Sequence, residues 1–414
     1  MNTRRVVVTG LGGATSLGLT FRDTWAGLVA GRNGISPITH FDTSEHTTKF
    51  AGVIRDYKPD AYFKPAEAKK LDLYTQYALV AAEECIKDSA IDLERCDRER
   101  IGVILGTGIG GINAIESEHD ELHERGPRRV SPHFIPKMMP NAIAGQVSIR
   151  YGLQGSNYVT SSACASGAHA LLAAFRAVQV NELDLCVSGG SESAITPLSV
   201  AAFGNMKALS TRNDVPEHAS RPFDKDCDGF VMGEGAGILL LEEREHALRR
   251  GARIYAEFLG YGSTADAFHI TQPKEDGAGP RRAMALALAM GGLKPQDVDY
   301  VNAHGTSTHY NDLVETQAIH QVFGAHASKL AVSSTKSMIG HLLGSSGAIE
   351  AAVTCQTIAE QIVHPTRNHE VAGEGCDLDY VPGEARAMPV RAAISNSLGF
   401  GGHNACLLFG RHAG

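Results

Sequence analysis

Residues 159–174 read VTSSACASGAHALLAA: two β-prone residues, a pair of serines, then Cys164 and a run of small and aliphatic residues. A β-prone stretch that leads straight into an alanine-rich helix is the joint of an α/β fold, in which buried strands alternate with the helices that cover them. Outward from this joint, short β-rich runs recur at residues 6–8, 101–105, 185–188, 254–261, 298–303, 330–333 and 392–395, with small-residue helical stretches between them. No Ser/Pro-rich linker or low-complexity tract interrupts the alternation. The fold class read from this pattern is α/β.

The pattern also repeats. A strand followed by a glycine turn occurs at 103–111 and again at 301–306, and a strand running into a serine and glycine loop occurs at 188–193 and at 395–402. A small-residue helix opened by a reactive side chain follows Cys164 and again lies near His341. Residue identity between the echoes is weak, but their order is the same. A duplicated α/β unit is expected, with halves 1–256 and 257–414, the first carrying Cys164 and the second both His304 and His341.

Composition sets the limits. The 414 residues include 38 basic and 46 acidic side chains, a net charge of −8, which gives no basic field for nucleic acid. A hydrophobic fraction of 43% with 20% charged residues excludes a disordered or collagen-like chain. The 45 glycines and only 6% aromatics point to tight turns and close helix packing. The longest apolar run, residues 283–290, is far short of the roughly twenty that cross a bilayer, so no membrane span is expected. Residues 6–8 are too short an apolar core for a secretory signal. Eight cysteines are scattered without paired spacing, which favours reduced thiols and a cytoplasmic protein.

Three motifs imitate ligand sites. Gly106, Gly108 and Gly111 match a dinucleotide fingerprint, but the prolines at 127, 132 and 136 stand where its second strand should run, so a structural turn is expected. Asp224, Asp226 and Asp228 imitate a calcium loop whose twelfth position is Gly235 instead of glutamate, and a charged surface turn is expected. His119 and His123 have zincin spacing with the glutamate out of place, on a polar run that reads as a solvated helix face. No metal site is expected.

Cys164 is placed at the first turn of a buried helix, where free N–H groups and the helix dipole are expected to lower its thiol pKa and to receive an oxyanion, an arrangement suited to acyl transfer. His304 and His341 both sit where a strand gives way to a glycine loop, the usual rim of a site in an α/β sheet.

Taken together, residues 160–167 (TSSACASG), 221–237 (RPFDKDCDGFVMGEGAG), 304–308 (HGTST), 336–347 (KSMIGHLLGSSG) and 396–404 (NSLGFGGHN) resemble the β-ketoacyl-acyl-carrier-protein synthases, nearest the elongating type II enzymes of fatty-acid synthesis. The resemblance covers essentially the whole chain. It implies the thiolase fold in five α/β/α/β/α layers, a homodimer, and a decarboxylating Claisen condensation of an acyl group with malonyl-acyl-carrier protein. By resemblance, Cys164 carries the acyl group, His304 and His341 act on the malonyl thioester, and Lys336 is the active-site lysine, paired with Glu350. If one helix ran from His341 to Glu350, those two side chains would lie on opposite faces, so the lysine pairing rests on resemblance alone.

The resemblance also implies backbone N–H groups of Cys164 and Phe400 as the oxyanion hole, and Thr306 and Thr308 as pantetheine contacts, with a threonine-rich turn the plainer alternative. By resemblance, Ile109 is expected at the position lining the acyl tunnel. Lys69, Lys70, Arg128, Arg129 and Lys207 match docking positions for acyl carrier protein. No cofactor of the enzyme's own is implied, since 4'-phosphopantetheine arrives on the carrier. Leu398 stands where many relatives have phenylalanine, His309 where proline is common, and Ser345 and Ser346 replace two alanines; none is expected to touch the triad. Cys164 argues against an inactive chain-length relative, His341 against the initiating type III enzymes, and the packing position of Cys406 against a thiolase. A ketosynthase subunit of a type II polyketide synthase shares the triad and is the serious alternative.

Overall fold

Each of the seven β-rich runs falls on a strand of one ten-stranded sheet in the computed structural model, which describes residues 3–412. The strands are β1 (Val6–Ala14), β2 (Ile101–Gly106), β3 (Asn157–Thr160), β4 (Leu185–Glu192), β5 (Gly235–Glu243), β6 (Ala256–Ala265), β7 (Tyr300–Asn302), β8 (Ala331–Ser333), β9 (Ala392–Gly399) and β10 (His403–Gly410). β3, β5 and β10 are the three that the runs miss. β3 has only four residues, β5 begins with Gly-Ala-Gly because that end lies against other backbone, and β10 begins with His-Asn, where the Asn404 amide is bonded to Asp266. A Cβ on Gly237 of β5, for example, would come within 2.4 Å of the Ile349 nitrogen.

The sheet order is β8-β7-β9-β10-β6-β1-β5-β4-β2-β3. Numbered within each half, both halves run third, second, fourth, fifth, first. In both, the second strand is parallel to its two neighbours and the fourth, fifth and first are joined antiparallel. The two first strands meet antiparallel, Val6 opposite Phe258 and Val8 opposite Ala256, and so join the halves. This is the duplication that the sequence echoes announce.

Helices α1 (Leu73–Asp88), α2 (Ser166–Gln179), α3 (Ala278–Gly291), α4 (His309–Phe323) and α5 (Ser346–Glu360) complete the layers. Alternate residues of each strand serve different cores. Leu239 and Leu241 of β5 face a central core with Leu171 of α2 and Ile349 of α5, while Ile238 and Leu240 face an outer core with Leu79 of α1. In the second half, Leu407 and Phe409 of β10 face the central core, and Cys406 and Leu408 an outer one with Met284 of α3. The result is five layers with α2 and α5 in the middle. Both faces of the sheet are covered, so its central strands are buried along their length instead of alternating between buried and exposed.

The central helices start against each other. A Cβ on Gly167 would lie 2.9 Å from the Ala348 Cβ, and one on Gly347 would lie 2.9 Å from the Ala168 Cβ. This approach brings together the two helix N-termini and the loops that precede them.

Candidate active site

The chain leaves β3 at Thr160 and turns sharply before α2, with Ala163 at φ +50°, a left-handed conformation that a non-glycine residue holds only when its surroundings impose it. The serines impose it here. Ser166 Oγ donates to the Ala163 carbonyl at 2.6 Å and accepts the Ser162 N–H at 2.9 Å, while Thr160 Oγ1 donates to the Ser166 carbonyl at 2.8 Å. Cys164 stands at the tip of this elbow, partly buried.

The expected lowering of the Cys164 thiol pKa is not found. Burial pushes the thiol up to about 11, outweighing the Lys336 charge and the N–H groups of Phe400 and of Cys164 itself, and the buried Glu192 carboxylate adds to the rise. The helix proper begins two residues on, at Ser166, so its dipole is not centred on the sulfur. The two N–H groups that do reach the sulfur are the pair expected to form the oxyanion hole. Phe400 is brought there by Gly399, whose own Cβ position lies 3.2 Å from the Cys164 nitrogen.

His304 follows β7, where the Glu315 carboxylate of α4 accepts its N–H and that of Gly305, each at 2.8 Å. His341, expected where a strand gives way to a glycine loop, instead follows a separate short helix, Lys336–Ile339, and precedes α5, so no single helix joins it to Glu350. Its backbone is pinned on both sides: its N–H donates to the Val231 carbonyl at 2.7 Å, and its carbonyl accepts from Gly233 at 2.9 Å. The two imidazoles lie 5.3 Å apart, edge to face, and both line the cavity that Cys164 enters. Burial, with the nearby Lys336 charge, holds both well below the usual histidine range, so each is neutral at pH 7. Neither Nε2 has a hydrogen-bond partner among the described residues.

Lys336 is buried behind the histidines and pairs with Glu350, the contact implied by resemblance. Burial raises the Glu350 carboxyl to about 7 against the pull of that lysine. The cavity, about 540 Å³, is also lined by Ile109, Lys207, Thr306, Thr308 and Phe400, so eight of the expected site residues share one space, with Leu398 and His309 beside them. Thr306 and Thr308 hydroxyls lie 2.9 Å apart. Lys69, Lys70, Arg128 and Arg129 are exposed and lie outside the cavity. The expectation that no departure touches the triad is overturned: Ser346 Oγ is 2.8 Å from His341 Nδ1.

The imitation motifs resolve physically. The Glu192 carboxylate accepts the N–H groups of Gly108 (2.7 Å), Ile109 (3.2 Å), Gly110 (3.2 Å) and Gly344 (3.0 Å), so the glycine turn is filled by a protein anion. Asp224 is not on a surface turn as expected. It is buried, accepting from Arg221, Asp226, Glu370 and Val371, and ties distant segments together. His119 and His123 are exposed, as the solvated-face reading has it. Glu192, Glu315 and Asp312, which accepts from Thr306 at 3.1 Å, were not singled out in the sequence. A signal was present for Glu192 alone, an acidic residue inside a run of small residues that must find donors when buried; Asp312 and Glu315 lie in the polar stretch 308–317, which reads as an ordinary solvated helix face.

Comparison with known proteins agrees with this geometry. Residues 3–247 match the family described as "Beta-ketoacyl synthase, N-terminal domain" and residues 255–370 its C-terminal domain. A relative from Synechocystis sp., named 3-oxoacyl-[acyl-carrier-protein] synthase 2, is 52% identical over 100% of this chain and 99% of its own length. A crystal structure of a beta-ketoacyl synthase from Burkholderia phymatum is 37% identical with TM-score 0.92, covering 99% of this chain and 100% of that one. A ketosynthase bound to the hexaketide, solved in complex with its type II PKS acyl-carrier protein, is 32% identical with TM-score 0.91 over 99% of this chain and 100% of that chain.

Proposed function

This chain belongs to the beta-ketoacyl synthase family, and from that premise we propose which of its atoms carry which step. The reaction is the elongating, decarboxylating condensation of fatty-acid synthesis, which yields 3-oxoacyl-acyl-carrier protein. The observation that carries the assignment is the meeting of Cys164 from the first half with His304 and His341 from the second in one cavity.

In the first step Cys164 sulfur displaces the pantetheine sulfur from the acyl carbonyl, and the thiol proton ends on the departing pantetheine. In the second, malonyl thioester loses CO2 and the bonding pair becomes an enolate. Its oxygen is received by the Nε2–H groups of His304 and His341, which neutral imidazoles can offer without titrating. Burial keeps those rings neutral, and the Lys336 charge adds to it. The enolate carbon then attacks the Cys164 thioester, the tetrahedral oxygen rests on the N–H groups of Cys164 and Phe400, and collapse expels the Cys164 thiolate. Thr306 and Thr308 hold the pantetheine amides, and the enzyme needs no cofactor of its own.

The acidic acyl carrier protein docks on Lys69, Lys70, Arg128, Arg129 and Lys207, all five exposed, on a chain whose net charge is −8. The homodimer forms through β3, the end strand of the sheet. Its outer edge carries no proline or lysine to blunt it, and Tyr158 on it is 43% exposed. We place the enzyme in the cytoplasm, a reading supported by eight unpaired cysteines. Among the described residues no helix is long and apolar enough to cross a membrane.

The test is to supply purified protein with a saturated acyl-carrier protein and malonyl-carrier protein. The expected product is the 3-oxoacyl chain two carbons longer, formed without a second subunit. Product only when a second, cysteine-less subunit is added would favour the polyketide reading, which the ketosynthase neighbour keeps open. His304→Ala and His341→Ala should each suppress CO2 release from the malonyl thioester by more than they suppress acylation of Cys164; equal loss of both would contradict their roles.

A further inference from the structure

We infer that Ser346 is a positioning residue that fixes the proton of His341 on Nε2, the nitrogen that faces the reacting thioester; the inference rests on the role of His341 proposed above. Ser346 opens α5, and its Oγ lies 2.8 Å from His341 Nδ1. Both side chains are sealed, with 1% and 3% of their surfaces exposed. A neutral imidazole carries one proton, so two arrangements are available. Either Nδ1–H donates to the hydroxyl oxygen, or the hydroxyl donates to a bare Nδ1 and the ring proton sits on Nε2.

The surroundings separate them. Ser346 Oγ has no other hydrogen-bond partner among the described residues. If Nδ1–H were the donor, the hydroxyl hydrogen would be buried with nothing to receive it. The carbonyls of the 3-10 turn Leu343–Ser345 that leads into α5 are not bonded to Ser346 Oγ, so they supply no acceptor. If the hydroxyl is the donor, every polar atom of the pair is used, and Nε2–H is left pointing into the cavity. Ser345 cannot take over the task, because its hydroxyl donates to the Gly190 carbonyl at 3.0 Å.

The rest of His341 is already held. Its backbone is bonded on both sides and the Phe230 ring packs edge to face at 5.4 Å, so the remaining freedom is the tautomer and the flip of the ring. His304 is arranged differently, with its Nδ1 buried and unpartnered. The two histidines therefore differ in how their donor nitrogens are set, and only His341 has a side chain assigned to it.

The experiment compares Ser346→Ala, Ser345→Ala and His341→Ala for CO2 release from malonyl-carrier protein and, separately, for acylation of Cys164. Histidine-selective 15N NMR of the folded wild-type and Ser346→Ala enzymes reports the tautomer. Expected for Ser346→Ala is a fall of about three- to tenfold in kcat for decarboxylation, the worth of one buried hydrogen bond, with KM and Cys164 acylation unchanged. Ser345→Ala should leave all three parameters alone. In the wild type, the His341 Nδ1 resonance should be that of an unprotonated nitrogen, and in Ser346→Ala it should shift toward an average of both tautomers.

A wild-type spectrum with the proton on Nδ1 overturns the inference, whatever the variants do. So does a Ser346→Ala enzyme with unchanged decarboxylation, or an equal loss in Ser345→Ala. If His341→Ala loses decarboxylation while Ser346→Ala does not, only the Ser346 role falls; if His341→Ala keeps it, the proposed role of His341 falls as well.

Discussion

At Cys164 burial and charge oppose each other, and burial wins. Placing the sulfur in a closed elbow raises the thiol to about 11, although Lys336 and two backbone N–H groups favour the thiolate. The sign of the pH dependence follows. Below the thiol pKa the thiolate fraction grows about tenfold per pH unit, so alkylation of Cys164 by iodoacetamide should keep rising from pH 7 to pH 9. A rate already flat at pH 7 would show that the helix end does stabilise the thiolate and that this balance is wrong. Sequence spacing exposed Cys164 and His304 because each is a reactive residue shortly after a strand, and His341 because it stands in a glycine loop, although a short helix and not a strand leads into that loop. It could not expose the burial of the sulfur, since that depends on what the other half of the chain brings over it. Nor could it expose Ser346, whose hydroxyl acquires meaning only when the loop after His341 turns it back onto the ring.

Among the elements, the turn after β2 shows how a buried anion shapes a binding surface. Glu192, at the end of β4, gathers the amides of residues 108–110, and this presents Ile109 to the cavity beside Phe203 and Leu343. A medium aliphatic side chain there leaves room for a long acyl chain. Ile109→Phe overpacks a closed site, at a cost of about 1–3 kcal/mol, and so should lower kcat/KM for a fourteen-carbon primer about ten- to a hundredfold relative to a six-carbon one. An unchanged ratio would remove Ile109 from the tunnel. Strand and helix alternation was legible where a strand opens on its apolar run. It failed at β5 and β10, which open with Gly-Ala-Gly and His-Asn: side chains there are kept small or polar by the backbone and loops they meet, and periodicity does not record that constraint.

For the whole molecule, duplication explains why the site exists at all. Each half supplies a strand, an elbow and a central helix, and the close approach at Gly167 and Gly347 sets Cys164 of one half beside His304 and His341 of the other. The echo of motif order made this legible before any coordinates, whereas the joining of the halves through β1 and β6 is a long-range pairing that no local pattern encodes. Net charge also acts at this scale. Since the chain carries −8, attraction of an acidic carrier must be local, and reversing Arg128 and Arg129 to glutamate should raise KM for carrier-bound substrates about three- to tenfold while leaving small thioester mimics unaffected. A parallel rise for both substrate types would remove the docking role. The central claim is that one sulfur carries the growing chain, and mass spectrometry of peptides after incubation with acyl-carrier protein tests it most directly. The account predicts the acyl mass on the Cys164 peptide and its absence from Cys164→Ala, whereas an acyl group on any other residue with Cys164 unmodified would contradict it.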